Sequence, residues 1–166
     1  MRNAEKSIAE KRDACRELLL QRQEVLSLAE SCTGGWISKY ITDQPGSSAY
    51  YWGGVCCYAN AAKEALLQVP PEHLAAFGAV SETVAWDMAS GIMRLSGSDS
   101  SVAVTGIAGP DGGTADKPVG LVYIAVASRT GIAVRECHFA GDREAVRLQT
   151  VAAALDMILE RIEKNL

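Results

Sequence analysis

The sequence predicts an α/β fold: a single-domain, three-layer α/β/α sandwich with a mixed, mostly parallel sheet. Apolar runs of strand length alternate along the chain with segments of helical periodicity, which indicates strands covered by helices. Two glycine-rich loops, 30–35 and 105–113, each follow an apolar run, as ligand loops do at the carboxyl ends of strands in open α/β sheets. Hydrophobic residues make up 48% of the 166 residues and charged residues 22%, which is typical of one globular domain, 1–166, with a sizeable core.

Ten elements follow in the order α-β-α-β-α-α-β-β-β-α. The predicted strands cover 24–29, 50–58, 101–104, 119–128 and 132–139. The predicted helices are 4–22, a segment that begins within 30–35 and ends before Pro45, a short one that ends before Pro70, a long one that begins at Ser81, and a last one from 142 to 159 or beyond. Asn60, Ser81 and Asp142 are suitable N-caps for the last three helices, because their side chains accept from free helical N–H groups.

Charge and cysteine content argue against several classes of function. The formal net charge is −4, so bulk electrostatics do not favour nucleic acid. No run is long enough to span a membrane, and the charged start of the chain lacks the apolar core of a signal peptide. The five cysteines include no CxxC pair, and neither histidine has neighbours at metal-ligand spacing. We therefore expect a soluble cytoplasmic protein that binds no metal, no nucleic acid and no membrane.

The first glycine-rich loop, 30–35, joins the end of a strand to the start of a helix. Free backbone N–H groups and the positive end of the helix dipole favour an anion there. Ser31 and Thr33 add hydroxyl donors, and Gly34 lets a ligand approach the backbone closely. The alternative is a plain capping turn in which one hydroxyl closes the helix.

The second glycine-rich loop, 105–113, contains four glycines and a proline after a buried-looking strand. Thr105 and Gly106 stand at its start, where a ligand of an open α/β sheet would lie. The loop matches neither a dinucleotide-binding motif nor a P-loop, so neither of those ligands is indicated. A mobile loop without a ligand is the alternative.

Ser48, Tyr58 and Lys63 are candidates for metal-free amide hydrolysis. A serine hydroxyl is a weak nucleophile that needs a neighbouring base. A buried lysine can be that base, because burial disfavours its charged form. A tyrosine hydroxyl can relay a proton or donate to the developing oxyanion. Each residue also has an ordinary alternative: a capping serine, a sheet tyrosine or a solvated lysine.

Two arginines at the start of the last helix are candidates for an anion clamp. Arg143 and Arg147 are one turn apart on the same helix face, a spacing that suits phosphate or carboxylate. Solvated helix charges are the alternative.

Seven stretches, taken together and in order, resemble the CinA C-terminal domain family closely. Its stand-alone members include nicotinamide-nucleotide amidases, the PncC-like proteins. The matching stretches are 29–35, 45–48, 53–55 with 58–63, 78–82, 105–113, 117–120 and 139–143. Ala59 and Ala61 depart from the polar residues that the family often has there. The larger N-terminal domain of longer CinA proteins has no counterpart in this sequence, so we expect its activity to be absent.

The resemblance implies hydrolysis of nicotinamide mononucleotide to nicotinic acid mononucleotide and ammonia, by a homo-oligomer without metal or organic cofactor. It implies that Ser48 attacks the carboxamide, that Lys63 is the base and that Tyr58 assists proton transfer. The residues that it implies in nucleotide binding are Ser31, Thr33, Thr105, Gly106 and Arg147.

Four alternatives stay open. Ser31 can replace Ser48 as nucleophile, and Arg143 fits the phosphate nearly as well as Arg147. The substrate can be another small amide. The domain can also be a nucleotide-binding regulatory or protein-interaction module with little turnover.

Overall fold

The structure is a computed structural model that describes residues 2–164, and it confirms the α/β class. The strands are β1 Leu26–Glu30, β2 Tyr51–Cys56, β3 Ser100–Gly106, β4 Leu121–Ser128 and β5 Gly131–His138. The helices are α1 Arg2–Arg22, α2 Trp36–Thr42, α3 Asn60–Leu67, α4 Pro71–Phe77, α5 Glu82–Ser96 and α6 Arg143–Lys164, and a single 3-10 turn covers Ser47–Ala49.

The five strands form one mixed sheet in the order β2-β1-β3-β4-β5. β1 pairs in parallel with both β2 and β3, whereas β4 pairs antiparallel with β3 and β5. β4 and β5 are joined by the two residues 129–130, and so short a connection allows only antiparallel pairing. Because β1 runs parallel to both β2 and β3, the carboxyl ends of these three strands meet at one edge of the sheet, and the loops that follow them lie side by side.

Helices cover both faces of the sheet, which gives the predicted three layers. One buried cluster joins the first face to α1, α2 and α6, with Leu28, Val102 and Ile124 among its strand residues. The second cluster joins the other face to α3, α4 and α5. Its strand residues are the small side chains of Ala29, Ala103, Ala125 and Ala127. Within residues 2–164, none of the helices combines the length and the apolarity needed to cross a lipid bilayer.

Close helix packing fixes the position of α3 against α5. A Cβ on Gly91 of α5 would lie 2.2 Å from the carbonyl oxygen of Leu67 at the end of α3, so only glycine fits there. Because α3 also carries Lys63, this contact helps to position that side chain.

The N-caps of two helices are confirmed and a third is wrong. The Ser81 hydroxyl accepts from Val84 N–H at the start of α5, and Asp142 Oδ1 accepts from Ala145 N–H at 2.9 Å at the start of α6. Asn60 is not an N-cap: it is the first residue of α3, the cap position is Ala59, and no side chain caps this helix. The sequence analysis also missed α4, which is seven residues long.

Candidate active site

A pocket of about 190 Å³ lies where the carboxyl ends of the three parallel strands meet. Its walls come from the loops after β1 and β2, from α3, from the end of β3 and the loop after it, from the turn before α5 and from the start of α6. The lining residues are Ser31, Cys32, Tyr58, Asn60, Lys63, Ala79, Val80, Thr105, Gly106, Ala108 and Arg143. This list contains one lysine, one arginine and no carboxylate.

Lys63 extends from α3 back to the sheet edge, where its amine meets Ser31. Lys63 Nζ lies 3.1 Å from Ser31 Oγ, 2.9 Å from the carbonyl oxygen of Cys57 and 3.3 Å from that of Tyr58. The side chain is 1% exposed, and no carboxylate within residues 4–164 pairs with the amine. Burial lowers the pKa of Lys63 below its ordinary value, because a charged amine loses hydration there without gaining a counter-ion.

Three oxygens surround Lys63 Nζ, and the ammonium form can donate to all three of them. The neutral form keeps two N–H groups for the carbonyl oxygens of Cys57 and Tyr58 and leaves one lone pair for the side of Ser31 Oγ. The Ser31 O–H can then donate to that lone pair. This is the arrangement of a hydroxyl nucleophile beside its general base.

A buried carboxylate holds the loop that carries Ser31. Glu30, the last residue of β1, is 1% exposed, and its two oxygens accept five hydrogen bonds. The donors are Thr33 Oγ1 at 2.6 Å, Gly35 N at 3.1 Å, Ile37 N at 3.0 Å, Ser38 N at 2.8 Å and Ser38 Oγ at 2.6 Å. The start of α2 is therefore occupied by an anion from the protein itself. Glu30 is a residue that the sequence analysis missed; its signal is an acidic side chain at the end of an apolar strand.

Arg143 and Tyr58 form the outer side of the pocket. One guanidinium nitrogen of Arg143 donates to Tyr58 Oη at 2.8 Å and another donates to the carbonyl oxygen of Gly109 at 2.8 Å. Tyr58 is 60% exposed. The two contacts hold a cation and a hydroxyl together at the pocket mouth, where an anionic group of a ligand can reach both.

The structure brings together six of the ten predicted site residues. Ser31, Tyr58, Lys63, Thr105, Gly106 and Arg143 all line the pocket. The Thr105 hydroxyl donates to the carbonyl oxygen of Ala79, which ties the end of β3 to the turn before α5. Asn60, Cys32, Ala79 and Val80 also line it, and the sequence analysis did not select them.

The structure places Ser48 far from Lys63. The predicted arrangement of Ser48, Tyr58 and Lys63 as neighbours is therefore wrong within a single chain. Ser48 is exposed in the 3-10 turn before β2, next to Tyr50, whose carbonyl oxygen accepts from Leu26 N–H at the start of β1. Lys63 Nζ contacts the residues just after β2. The six residues of β2 lie between the two sites and span about 17 Å, so the two side chains lie at opposite edges of the sheet.

Thr33, Gly34 and Arg147 lie behind the pocket, which corrects their predicted contact with a ligand. Thr33 is fully buried and its hydroxyl donates to Glu30. Arg147 Nε donates to the carbonyl oxygen of Thr33 at 3.2 Å, and the guanidinium lies 3.8 Å from the centre of the Trp36 ring. A Cβ on Gly34 would come within 3.2 Å of Arg147 Nη2. These residues support the loop from behind, and of the two candidate arginines it is Arg143 that lines the pocket.

In the part of the chain from 2 to 164, no group of three or more His, Cys, Asp and Glu side chains is arranged to hold a metal ion.

Comparison with known proteins places the chain in a family. The model of the CinA C-terminal domain matches residues 8–162. The chain is 54% identical to a CinA-like protein of Geobacter sulfurreducens over 149 residues, which are 90% of this chain and 36% of that protein. It thus spans about a third of the length of the curated relatives that it matches.

Solved structures agree over nearly the whole chain. The competence/damage inducible protein CihA from Agrobacterium tumefaciens is 42% identical, with a TM-score of 0.91 and coverage of 93% of this chain and 94% of that one. A CinA superfamily protein from Klebsiella pneumoniae is 36% identical, with a TM-score of 0.91 and coverage of 95% and 98%. The chain therefore belongs to the CinA C-terminal domain family.

Proposed function

We propose that the chain is an amidohydrolase that converts nicotinamide mononucleotide to nicotinic acid mononucleotide and ammonia, with Ser31 as nucleophile and Lys63 as base. The observation that carries the reaction type is the 3.1 Å contact between Ser31 Oγ and a buried Lys63 Nζ without a carboxylate partner. Such a neutral amine activates a serine hydroxyl. The resemblance to nicotinamide-nucleotide amidases supports the identity of the substrate.

In the first step, Ser31 Oγ bonds to the carboxamide carbon and its proton moves to the lone pair of Lys63 Nζ. The carbonyl π electrons move onto the oxygen and give a tetrahedral anion. When this anion collapses, the C–N bond breaks and Lys63 gives the proton to the departing nitrogen, which leaves as ammonia. An ester between Ser31 and the nicotinoyl group remains.

In the second step, water attacks the ester carbon while Lys63 Nζ takes one of its protons. The bond from that carbon to Ser31 Oγ then breaks, and Lys63 returns the proton to Ser31. The product leaves as a carboxylic acid that ionises in solution. Lys63 is thus first a base and then an acid in each half of the reaction. Both roles require that the pKa of its amine lie not far from the working pH.

Arg143 supports a substrate that carries a phosphate. The pocket holds the Arg143 guanidinium and no carboxylate, so its potential favours an anion even when Lys63 is neutral. A guanidinium presents its N–H donors in a fixed fork that suits phosphate oxygens. We assign the phosphate to Arg143 and the Tyr58 hydroxyl, in place of the proton-transfer role that the resemblance implied for Tyr58. Thr105 and Gly106 form part of the wall.

The test is ammonia release from nicotinamide mononucleotide, run beside free nicotinamide and with chelator present. We expect turnover of the nucleotide alone, unaffected by chelator. Ser31→Ala should lower kcat by several orders of magnitude, because it removes the nucleophile, while the matched control Ser48→Ala should stay within a few-fold of wild type. Ordinary turnover by Ser31→Ala with loss in Ser48→Ala would overturn the assignment. Binding of the nucleotide without turnover by the wild type would replace the amidase with a nucleotide-binding regulatory domain.

We also propose that residues 1–166 act as one amidase domain in the cytoplasm, as a homo-oligomer without metal or organic cofactor. The resemblance supports the oligomer, and sedimentation equilibrium of the purified chain measures it directly.

A further inference from the structure

We infer that Lys117 is a positioning residue of the proposed amidase, because it holds one wall of the pocket in place. That wall is the turn 78–81 between α4 and α5, and Lys117 belongs to the loop 107–120 between β3 and β4. The inference rests on the proposed function, since it concerns the shape of the pocket that takes the nucleotide. Two stretches that the sequence analysis selected, 78–82 and 117–120, have no role in the proposed reaction, and they meet at this contact.

The amine of Lys117 spans the turn. Its Nζ donates to Phe77 O at 2.6 Å and to Val80 O at 2.7 Å, so one ammonium joins the last residue of α4 to a residue just before α5. Both distances are short, as expected of hydrogen bonds from a charged donor. A Cβ on Gly78 would lie 3.2 Å from Nζ, so the glycine leaves room for the ammonium. The contact therefore fixes the separation of two carbonyl groups at the two ends of the turn.

The two carbonyl groups between these ends are also bound by side chains. The Ser81 hydroxyl donates to Gly78 O at 2.9 Å, and the Thr105 hydroxyl donates to Ala79 O at 2.8 Å. The Ser81 contact lies within the turn, so it cannot fix the turn relative to the sheet. Thr105 and Lys117 reach the turn from positions 26 and 37 residues further along the chain, and they are the contacts that fix it there.

The turn lies against the reacting groups. Ala79 and Val80 line the pocket together with Ser31 and Lys63, whereas Lys117 does not line it. Lys117 thus acts on a ligand through the turn and not by contact with it. Loss of its ammonium would free this wall, while β1 and α3 would still hold the 3.1 Å contact between Ser31 and Lys63.

The loop that carries Lys117 also holds the guanidinium to which we assign the phosphate. Gly109 O accepts from Arg143 at 2.8 Å near the start of the loop, and Lys117 donates to the turn near its end. Gly120 N–H donates to Ile107 O at 2.7 Å, which closes the base of the loop. One loop thus connects the wall 79–80 with Arg143, so their separation is fixed before the nucleotide arrives. A pocket that is already in its bound shape gains affinity, because less order is lost on binding.

The experiment measures kcat and KM for nicotinamide mononucleotide in Lys117→Met, which keeps an unbranched side chain and removes the ammonium. We expect KM to rise about tenfold, because two charge-assisted hydrogen bonds no longer hold the wall. We expect kcat to stay within about threefold, because other elements hold Ser31 and Lys63. Lys117→Arg, which keeps a charged donor, should bring KM back to within about threefold of wild type. The matched control is Lys6→Met, an exposed lysine of α1, which should leave both constants unchanged.

Hydrogen exchange gives a second readout that needs no turnover. Amide exchange in the segment 78–82 should be faster in Lys117→Met than in wild type, and exchange in the segments that contain Ser31 and Lys63 should be unchanged. Unchanged exchange in those two segments also shows that the variant is folded. A general loss of stability would instead speed exchange in all three segments.

The outcomes separate the positioning role from the proposed function. Absence of ammonia release by the wild type would overturn the amidase, whereas exchange in the segment 78–82 tests the Lys117 contact in either case. A Lys117→Met protein with wild-type KM and wild-type exchange in that segment would overturn the positioning role. Equal KM values for Lys117→Met and Lys117→Arg would overturn it as well.

Discussion

At the scale of single residues, the environment of Lys63 determines what its amine can do. Two carbonyl oxygens and one hydroxyl surround Nζ, and the side chain has almost no contact with solvent. An ammonium group in that place has three acceptors but no negative charge to balance it. Deprotonation is therefore easier than in water, and Ser31 is the hydroxyl that gains a base.

The pH dependence of activity should follow this amine. Because burial lowers the pKa of Lys63, kcat/KM should rise with pH as the amine loses its proton, and the rise should occur below the ordinary lysine range near 10.5. Lys63→Arg should be inactive throughout, since a guanidinium does not deprotonate. The measurement is kcat/KM against pH for both proteins, with circular dichroism as the check on folding. A Lys63→Arg enzyme with near wild-type kcat/KM would exclude Lys63 as the base.

The two arginines at the start of α6 should have separate effects on substrate binding and on stability. Arg143→Gln removes a charged donor from the pocket, so KM for nicotinamide mononucleotide should rise about tenfold or more, as loss of one charge-assisted hydrogen bond implies. Arg147→Gln is the matched control, because it removes the donor to Thr33 O and the contact with Trp36. It should lower the melting temperature and leave KM within a few-fold. Equal effects of the two variants on KM would contradict this division.

The sequence could predict most of the chemistry of single residues but not which side chains meet. Lys63, Tyr58 and Arg143, which were predicted as site residues, line one pocket. Ser48 does not line it, because strand β2 separates Ser48 from Lys63, and the proximity of Ser48 to Tyr58 in sequence gives no sign of that separation. Ser31 is 32 positions from Lys63, and only the parallel pairing of β1 with β2 brings the two together.

At the scale of elements, the connection from β1 to α2 is the part of the fold that the site depends on most. The connection is short, and the Glu30 carboxylate accepts from one amide and one hydroxyl of the connection and from two amides and one hydroxyl of the first turn of α2. Glycines at 34 and 35 have φ values of 59° and 95°, a left-handed conformation that glycine adopts without strain. The turn is thus determined jointly by the glycines and by Glu30.

Glu30→Gln should therefore weaken both folding and catalysis. The amide has one acceptor oxygen in place of two, and its NH₂ would face donors that now lack a partner. We expect the free energy of unfolding to fall by about 2 kcal/mol or more. Urea denaturation measures this change, and kcat should fall by more than the folded fraction accounts for, because the Ser31 loop is no longer fixed.

The matched control is Glu64→Gln, an exposed glutamate on α3 that leaves the pocket untouched and should stay within about 0.5 kcal/mol of wild type. A Glu30→Gln protein with wild-type stability and kcat would show that the carboxylate is dispensable.

Element boundaries show where local sequence signals are weak. Ser81 and Asp142 were predicted as caps because each side chain can reach the N–H that it satisfies. Asn60 has the same chemistry, but Ala59 is extended and takes the cap position, which makes Asn60 the first helical residue. The missed helix α4 is short and begins at Pro71, and a proline pair at that point also fits a loop.

At the scale of the whole molecule, the sheet order is what assembles the site. Alternating helices and strands predicted the α/β class, because that pattern has few other compact solutions. The order β2-β1-β3 could not be predicted from the same pattern, since it depends on which strands pair across long stretches of chain. Once β1 lies between β2 and β3, three loops that are far apart in sequence share one edge.

Buried ionisable groups couple the stability of the whole chain to pH in two opposite directions. Lys63 has a lowered pKa in the folded state, so the unfolded chain binds more protons between that pKa and 10.5, and the free energy of unfolding rises with pH in this window. Buried thiols act in the other direction, because the pKa values of Cys15 and Cys32 are raised from 9.0 to about 12. Above pH 9.0 the unfolded thiols lose protons that the folded ones keep, and stability falls.

The Lys63 contribution is isolated by comparing wild type with Lys63→Met at pH values from about 6 up to the ordinary lysine pKa of 10.5. Both proteins contain the same thiols, so the thiol contribution cancels in the difference between them. The wild-type free energy of unfolding minus that of the variant should increase with pH, with a slope of at most about 1.4 kcal/mol per pH unit for one proton. The pH at which the increase begins marks the lowered pKa, and it should match the rise of kcat/KM. Urea denaturation at each pH measures the difference. A difference that stays constant across this range would mean that the buried amine keeps its proton, and the neutral base proposed for Ser31 would then be excluded together with the coupling.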